Sequence, residues 1–325
     1  MTKHKEHKPR ARSRYGIGEW YGKSFVGLSS AERRHFAKIQ RIKGSKHANI
    51  PCPFKSLPTH KPWCTKEGGV CSIRLYEHHS DRNLVSVAAG QAGNLVTICP
   101  YRFQQKATIF KWIGETLLGH SDPLVVGEVG FLEQETSGEA GANSKRKVGS
   151  IDNVLVRRIE GEVRWCALEI QAVYFSGAKM SQEFDALTKH KGNNLPFPKG
   201  HRRPDFRSSG PKRLMPQLQI KVPTLRRWGK KMAVIVDRSF FDALGKMEAV
   251  KDVSSCDIAW FVVRYEESGQ GFSLKPDFVR FTTLERAVEG LTGGYPVTLE
   301  QFETRIREKL AAVAVAAEAK RDSDQ

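Results

Sequence analysis

The sequence predicts a mixed α/β (α+β) fold, with a central mixed sheet flanked by helices and a small cysteine-rich module before it. Three strand-like runs follow one another between residues 123 and 175, and two more apolar runs lie near residues 231–241 and 257–266. Segments with apolar residues at helical spacing lie on both sides of these runs. Four of the six cysteines fall within residues 50–102. The 325 residues suffice for one large domain or two modest ones.

Basic residues dominate the N-terminus. Residues 1–14 contain six Lys or Arg, two His and one Glu, with almost no apolar side chain to bury, so we expect a disordered basic arm. A short helix is predicted over residues 30–42, with Ser30 as its N-cap and Glu32 in its first turn. Arm and helix form a first segment, residues 1–45.

Cysteine, proline and glycine are frequent in the second predicted segment, residues 46–102. Its four cysteines are Cys52, Cys64, Cys71 and Cys99. The chain has no apolar leader behind its first charges and no apolar run of the ~18 residues that span a bilayer, so we expect a cytoplasmic protein with reduced thiols. A structural site with four thiolates around iron or zinc then explains the cysteines best. Because no CxxC pair is present, four independent thiols are the alternative.

The third predicted segment, residues 103–325, carries the sheet. We expect a helix over residues 103–119 and then a meander of three strands. The strand runs are residues 123–133, 148–160 and 162–175. Cys166 and Cys256 lie in apolar strands and are expected in the core rather than at a metal.

The rest of the chain alternates between loops, helices and strands. We predict a surface loop over residues 185–210, a basic helix near residues 211–229 and strands in the two later apolar runs. The last helix is expected to begin at Thr298, whose spacing to Gln301 makes a capping box.

Two polar residues interrupt the third strand run, "WCALEIQAVYF". Side chains two residues apart in a strand project to the same side, so Glu169 and Gln171 point together while Leu168 and Ile170 face the other layer. A buried carboxylate is costly unless a metal ion or a basic group meets it. Asp152, in the preceding strand run, could lie beside Glu169 in a hairpin. An Asp and a Glu on adjacent strands can bind one or two magnesium ions.

The partner of Glu169 could be a metal ion or a basic side chain, and the net charge of the chain helps to choose between them. The alternative partners are Arg157, Arg158 and Arg164 across the hairpin. The net charge of +18 indicates a polyanionic partner, with nucleic acid the leading class, although a ribosome-like or tail-dominated basic protein is the alternative. Carboxylates that hold a metal in a cationic setting suit phosphodiester hydrolysis, and Gln171 could hold the attacking water by a hydrogen bond.

These residues resemble two nested families. The order helix, three antiparallel strands, helix, strand, with Asp152 on the second strand and Glu169-x-Gln171 on the third, resembles the PD-(D/E)XK restriction-endonuclease-like core. Ile151 stands where that motif has Pro, which contributes no ligand. The phrase "ALEIQAVYFSG", with "IDNVLV" before it and "CPF", "GGVC" and "ICPYR" upstream, resembles the NotI-type restriction endonucleases over residues 50–180.

The resemblance implies a homodimeric, Mg²⁺-dependent enzyme that cuts both strands of a palindromic, GC-rich site in double-stranded DNA and is paired with a cognate DNA methyltransferase. Asp152 and Glu169 would bind the catalytic metal, and Gln171 would take the place of the superfamily's Lys. An upstream Glu on the first strand also belongs to such sites. Glu128 and Glu133 compete for this role, and we favour Glu128 because it lies in the middle of its strand run.

The four cysteines match the family's four-cysteine site, which resembles a rubredoxin-like iron centre. The resemblance therefore favours a tetracysteine metal-binding module over four independent thiols and leaves iron and zinc both open.

Two basic stretches are candidates for DNA contact. Residues 207–231 contain eight Lys or Arg and no acid, and the loop over residues 190–207 adds a second group in which His201, Arg202 and Arg203 are expected to be exposed. The candidate side chains are Arg202, Arg203, Lys212, Arg213, Gln217, Gln219, Arg226 and Arg227. For each of them, the alternative is a solvated surface position that contributes only charge.

Two other functions fit the same sequence. One is a non-cleaving, sequence-specific DNA-binding protein whose cysteine module contacts the bases. The other is a repair or transposon nuclease on the same fold.

Overall fold

The structure, a computed structural model, describes residues 12–40, 50–57, 60–136, 144–293 and 297–323. The chain divides into one compact unit, Met1–Thr292, and a second, Gly293–Gln325. Most of the predicted basic arm lies outside the described residues. Within the described ranges, no helix is long and apolar enough to cross a membrane.

Most strands belong to one of two larger sheets. In chain order they are β1 (Arg12–Trp20), β2 (Lys23–Ser24), β3 (Val70–His79), β4 (Leu84–Val87), β5 (Val96–Thr97), β6 (Leu124–Thr136), β7 (Ser144–Ile159), β8 (Glu162–Ile170), β9 (Tyr174–Gly177), β10 (Arg202–Asp205), β11 (Met232–Asp237), β12 (Ile258–Ser268) and β13 (Gly271–Thr282).

The helices lie between and after these strands. They are α1 (Ser30–Ile39), α2 (Thr108–Leu118), α3 (Ser181–Lys189), α4 (Phe206–Ser209), α5 (Met215–Arg227), α6 (Arg238–Asp242), α7 (Leu284–Thr292) and, in the second unit, α8 (Leu299–Ser323).

A six-stranded mixed sheet forms the centre of the first unit, in the order β13-β12-β11-β8-β7-β6. β11 runs parallel to β8 and β12, and the other pairs are antiparallel. Apolar side chains of α2 pack with Leu168 on one face, and those of α5 pack with Ala167 on the other. β8 is apolar on both faces because helices cover both. The predicted central mixed sheet flanked by helices is therefore confirmed.

The turn between β7 and β8 fixes their register. Glu160 and Gly161 both have positive φ, as a type I′ hairpin turn requires, and Ile159 pairs with Glu162 across them.

A second sheet was not predicted from the sequence. Its strands run in the order β2-β1-β3-β4, and β5 pairs with β3. β1 begins at Arg12, inside the predicted disordered arm, because Arg14 donates hydrogen bonds to the carbonyls of Pro198 and Lys199 and its guanidinium lies 5.2 Å from the centre of the Phe197 ring. β1 and β3 thus join the first two predicted segments in one sheet.

Most of the helix ends predicted from local sequence signals agree with the structure. Gly119, at φ 60°, ends α2 as predicted, and Thr298 and Gln301 form the predicted capping box at α8. The predicted cap of α1 was wrong by one residue. Ser29, not Ser30, is its N-cap and forms a capping box with Glu32.

The predicted surface loop over residues 185–210 contains regular structure. α3 extends to Lys189, and β10 pairs antiparallel with β9. Cys166 and Cys256 are buried, as predicted.

Candidate active site

Asp152 and Glu169 lie side by side on β7 and β8. Asn153 pairs with Leu168, so the next residues along, Asp152 and Glu169, face each other across the ladder. Asp152 is near enough to Glu169 to raise the pKa of its carboxyl group. The hairpin therefore brings the two residues together as the sequence indicated. The Glu169 side chain is 4 % exposed and that of Asp152 is 53 % exposed, so the pair has one buried and one open member.

Lys221 of α5 is the basic partner of this pair. Its Nζ lies 2.8 Å from Glu169 Oε2 and 3.8 Å from Asp152 Oδ1. The same ammonium group donates to Gln217 Oε1 at 2.8 Å. Sequence reasoning missed Lys221 and looked for an arginine across the hairpin. One of those arginines, Arg157, instead donates to the carbonyls that end α2.

A signal for Lys221 was present in the sequence. Leu218, Val222 and Leu225 are buried on one face of α5, and Lys221 has the spacing of that same stripe. A single Lys within an apolar stripe indicates a buried acidic partner, because a lysine is almost never buried unless it is paired.

The environment of Glu169 shifts its acidity. Burial raises the pKa of Glu169 to about 7, against the lowering effect of Lys221 and with a further rise from Asp152. In the metal-free protein, the carboxyl group of Glu169 therefore changes between its protonated and ionised forms near neutral pH.

Gln171 follows the end of β8. Its backbone N–H donates to the carbonyl of Ile235 at 3.1 Å, which fixes its position beside β11. Its side-chain Nε2 donates to the carbonyl of Ala172 at 2.5 Å. The amide is buried beside the carboxylate pair.

A cavity of about 370 Å³ opens over these groups. Its lining is Lys66, Ile98, Pro100, Asp152, Glu169, Ile170, Gln171, Ala172, Val173, Tyr174, Arg213 and Gln217. The guanidinium carbon of Arg213 lies 3.7 Å from the centre of the Tyr174 ring, so stacking holds its charge at the cavity. Carboxylates and cations thus line the same cavity, an arrangement that suits a phosphate group and a metal ion together.

The two candidates for the upstream Glu, Glu128 and Glu133, lie at different places on β6. Gly127 pairs with Asn153 and Val129 with Ile151, which puts Glu128 opposite Asp152. Glu133 pairs with Lys147, farther along β6. Glu128 has a φ of 39°, and its Oε1 accepts a hydrogen bond from Ser150 Oγ at 3.5 Å.

The four cysteines form a cluster beside this cavity. The backbone N–H of Cys99 donates to the carbonyl of Cys71 at 3.2 Å. Burial, with smaller contributions from the neighbouring Cys52 and Cys64, raises the pKa of Cys99 to about 11. Burial and Cys52 likewise raise the pKa of Cys64. The four thiols therefore lie within electrostatic reach of one another.

The cluster fits a metal by ligand type. Thiolates are the ligands that iron and zinc prefer in structural sites. Over the described ranges, no three or more His, Cys, Asp and Glu side chains form a group that could hold a metal ion as they stand.

The cysteine segment also forms one wall of the cavity. Lys66 lies two residues after Cys64, and Ile98 and Pro100 flank Cys99. Residues close to Cys64 and Cys99 in the chain therefore line the cavity.

The predicted DNA contacts fall into two groups. Exposed members are Arg203, Lys212, Arg213, Gln219, Arg226 and Arg227. Among these, Arg226 is paired with Asp257 and Glu285. Gln217 is only partly exposed because it holds Lys221.

The prediction that Arg202 is exposed was wrong. Its side chain is fully buried, forms an ion pair with Glu183 at 3.4 Å and donates to the carbonyls of Tyr15, Ala178 and Lys179. Arg202 therefore joins β10 to neighbouring segments of the fold.

The chain matches a known protein family. The model of a family described as "Restriction endonuclease NotI" matches residues 37–275, which is more than half of the chain. The matched range includes the carboxylate pair, Lys221 and all four clustered cysteines. No curated protein is similar enough to the chain to count as a relative.

Proposed function

Because the chain belongs to the NotI restriction endonuclease family, we propose that it cuts both strands of DNA at a palindromic, GC-rich site with Mg²⁺ held by Asp152 and Glu169. Members of this family are type II site-specific deoxyribonucleases, so double-stranded DNA is the substrate. The observation that carries the proposal is the carboxylate pair in a cavity that Arg213 and Lys66 also line. The sheet around it, with β6, β7 and β8 between α2 and α5, would be a PD-(D/E)XK core.

The donor set fits magnesium. Mg²⁺ prefers oxygen ligands and is commonly held by one or two carboxylates plus water and phosphate. A bound Mg²⁺ would activate water and neutralise charge that develops on the phosphate. Glu169 supplies a fixed, buried oxygen, and Asp152 supplies an oxygen that solvent can reach. A cation, Lys221, already lies against both, which supports a positive ion at this place.

The protein groups around the pair would handle the substrate. Arg213 and Lys66 would attract the phosphate group, because both line the cavity and carry positive charge. Gln171 would hold the attacking water with its side-chain amide. Glu128, opposite Asp152, would complete the acidic side of the site.

The four clustered cysteines would bind one structural iron or zinc ion. Their chemical type and mutual proximity support this assignment. Lys66, Ile98 and Pro100, which line the cavity close to Cys64 and Cys99 in the chain, would give the metal an indirect role in cleavage. Binding of the ion would displace the thiol protons and stabilise the thiolate form of the ligands.

Cleavage of a palindrome supports two further proposals. One carboxylate pair per chain cuts one strand, so a homodimer would bring a second pair to the other strand. A cognate DNA methyltransferase would protect the host genome from such an activity.

The test is digestion of unmethylated, mixed-sequence plasmid DNA with and without Mg²⁺. We expect discrete fragments only with the metal, and sequencing of their ends would give one GC-rich palindrome. D152N serves as the matched control for contaminating nucleases. Binding without cleavage would support the DNA-binding alternative, cleavage without a common site would support a repair or transposon nuclease, and either outcome would overturn the proposal.

A further inference from the structure

Three oxygen atoms surround the ammonium group of Lys221. Glu169 Oε2 and Gln217 Oε1 each lie 2.8 Å from Nζ, and Asp152 Oδ1 lies 3.8 Å away. Two of the three donors of the ammonium are thus used, and the third is available to Asp152 or to a water. The ammonium bridges the two carboxylates.

Burial makes this contact costly to break. The side chain of Lys221 is 7 % exposed and lies in the apolar stripe of α5, beside Leu218 and Val222. Removing one partner of a buried ion pair leaves an uncompensated charge in the core. In the metal-free protein, Lys221 therefore stabilises the two acidic groups in adjacent positions.

A divalent cation and Lys221 compete for the same oxygen. Direct binding of a metal to Glu169 requires Oε2 or its neighbour in the carboxyl group, and two cations near one carboxylate repel each other strongly in a site of low polarity. Gln217 offers the ammonium an acceptor that does not belong to the pair. Gln217 lies one helical turn before Lys221. Its side-chain oxygen can therefore still hold the ammonium group of Lys221 when a metal ion binds Glu169.

We propose that Lys221 is a positioning residue of the metal site, which holds Asp152 and Glu169 together in the metal-free protein and is displaced from Glu169 when the metal binds. This inference rests on the proposed role of the two carboxylates as metal ligands. It assigns to α5 a part in metal binding that the strand residues do not supply. If Lys221 has this role, loss of its charge should raise the affinity for the metal and lower the stability of the metal-free protein.

The experiment measures Mn²⁺ binding to the full chain without DNA, by electron paramagnetic resonance titration at pH 8.5. We expect K221Q and K221M to bind Mn²⁺ at least tenfold more tightly than the wild type, and K221R, which keeps the charge, to bind within threefold of it. K111Q, which removes an exposed lysine from α2 on the opposite face of the sheet, controls for net charge and should match the wild type. In EDTA, the melting temperature of K221M should be lower than that of K221R. Addition of Mn²⁺ should raise the melting temperature of K221M by more than that of K221R.

Two outcomes separate this inference from the proposal beneath it. If D152N and E169Q bind Mn²⁺ as the wild type does, the carboxylates are not the metal site and both ideas fail. If those variants lose Mn²⁺ but K221Q and K221M bind it equally or less tightly than the wild type, only the role of Lys221 is overturned. K221Q retains a hydrogen-bond donor, so it serves where K221M fails to fold.

Discussion

The carboxylate of Asp237 accepts a hydrogen bond from the backbone N–H of Thr97 at 2.6 Å, and this contact joins the end of β11 to β5 of the second sheet. The carbonyl of Thr97 in turn accepts from the N–H of Val173 at 2.7 Å. Thr97 is thus held between the end of β11 and the segment that follows β8. Since Ile98 and Val173 line the cavity, the contact fixes one wall of the candidate active site.

Asp237 should make stability depend on pH. Burial raises the pKa of Asp237 to about 6 from 3.8, so the folded protein binds this proton more tightly than the unfolded chain does. The associated stability is complete below pH 3.8 and is lost as the pH rises through about 6. The difference between a pKa of 3.8 and one of about 6 corresponds to about 3 kcal/mol. The free energy of unfolding of the wild type relative to D237N should therefore fall by up to about 3 kcal/mol from pH 4 to pH 7.

Urea unfolding of both proteins at several pH values checks this. Groups that titrate alike in the two proteins cancel in the difference. A difference that stays constant across the range would contradict the shift. Asp237 accepts from the N–H of Thr97 with one oxygen and from the N–H of Phe240 at 2.8 Å with the other. D237N keeps only one acceptor oxygen, and the loss of the second lowers stability at every pH alike.

Neutral substitutions in the carboxylate pair should separate cleavage from binding. D152N and E169Q each remove a metal-binding oxygen charge, so cleavage should fall by more than the ~10–100-fold that is typical when a metal ligand merely loses its supporting contact. Binding of a cognate duplex in Ca²⁺ or EDTA should be as tight as in the wild type or tighter, because a negative charge near the phosphates has been removed. Initial cleavage rates and fluorescence anisotropy give the two readouts.

The two variants should differ in stability. E169Q weakens the partner of buried Lys221 and should lower the melting temperature, whereas Asp152 is half exposed and D152N should leave it nearly unchanged. Wild-type cleavage by either variant would remove that residue from the site.

The sequence alone predicts contacts that depend on the geometry of neighbouring residues in the chain. Asp152 and Glu169 meet because a two-residue turn at Glu160 sets the hairpin register and side chains alternate along each strand. The alternation also placed Leu168 and Ile170 on the opposite layer. The central sheet followed from the same local signals.

Contacts between distant segments were beyond such reasoning. Lys221 is 52 residues from Glu169, and its direction depends on how α5 packs on the sheet. Arg14 is a strand residue because acceptors 184 and 185 residues away satisfy it. The basic composition of residues 1–14 suggested an arm, and only the tertiary partners of Arg14 make its segment a strand.

Cysteine substitution should test the proposed structural metal. Metal analysis of the purified protein should give about one iron or zinc per chain, and C52S should lose that metal and melt at a lower temperature. C256A is the matched control, because Cys256 is buried outside the cluster and donates only to the carbonyl of Val253. C52S should also cleave more slowly, since Lys66 and Ile98 in the cavity wall lie next to clustered cysteines. Full metal content in C52S would show that the cluster does not bind it.

Neighbouring arginines in β10 should behave in opposite ways. Arg202 is buried and paired with Glu183, so R202A should destabilise the protein by about 3–5 kcal/mol. Arg203 is exposed, so R203A should change the free energy of unfolding by less than about 0.5 kcal/mol. If Arg203 contacts a phosphate, R203A should weaken duplex binding and reduce the slope of log affinity against log salt concentration by about 1. Urea unfolding and salt titrations of duplex binding measure the two effects. An R202A protein as stable as the wild type would mean that its buried contacts contribute nothing to the fold, and an unchanged salt slope in R203A would remove Arg203 from the DNA-binding surface.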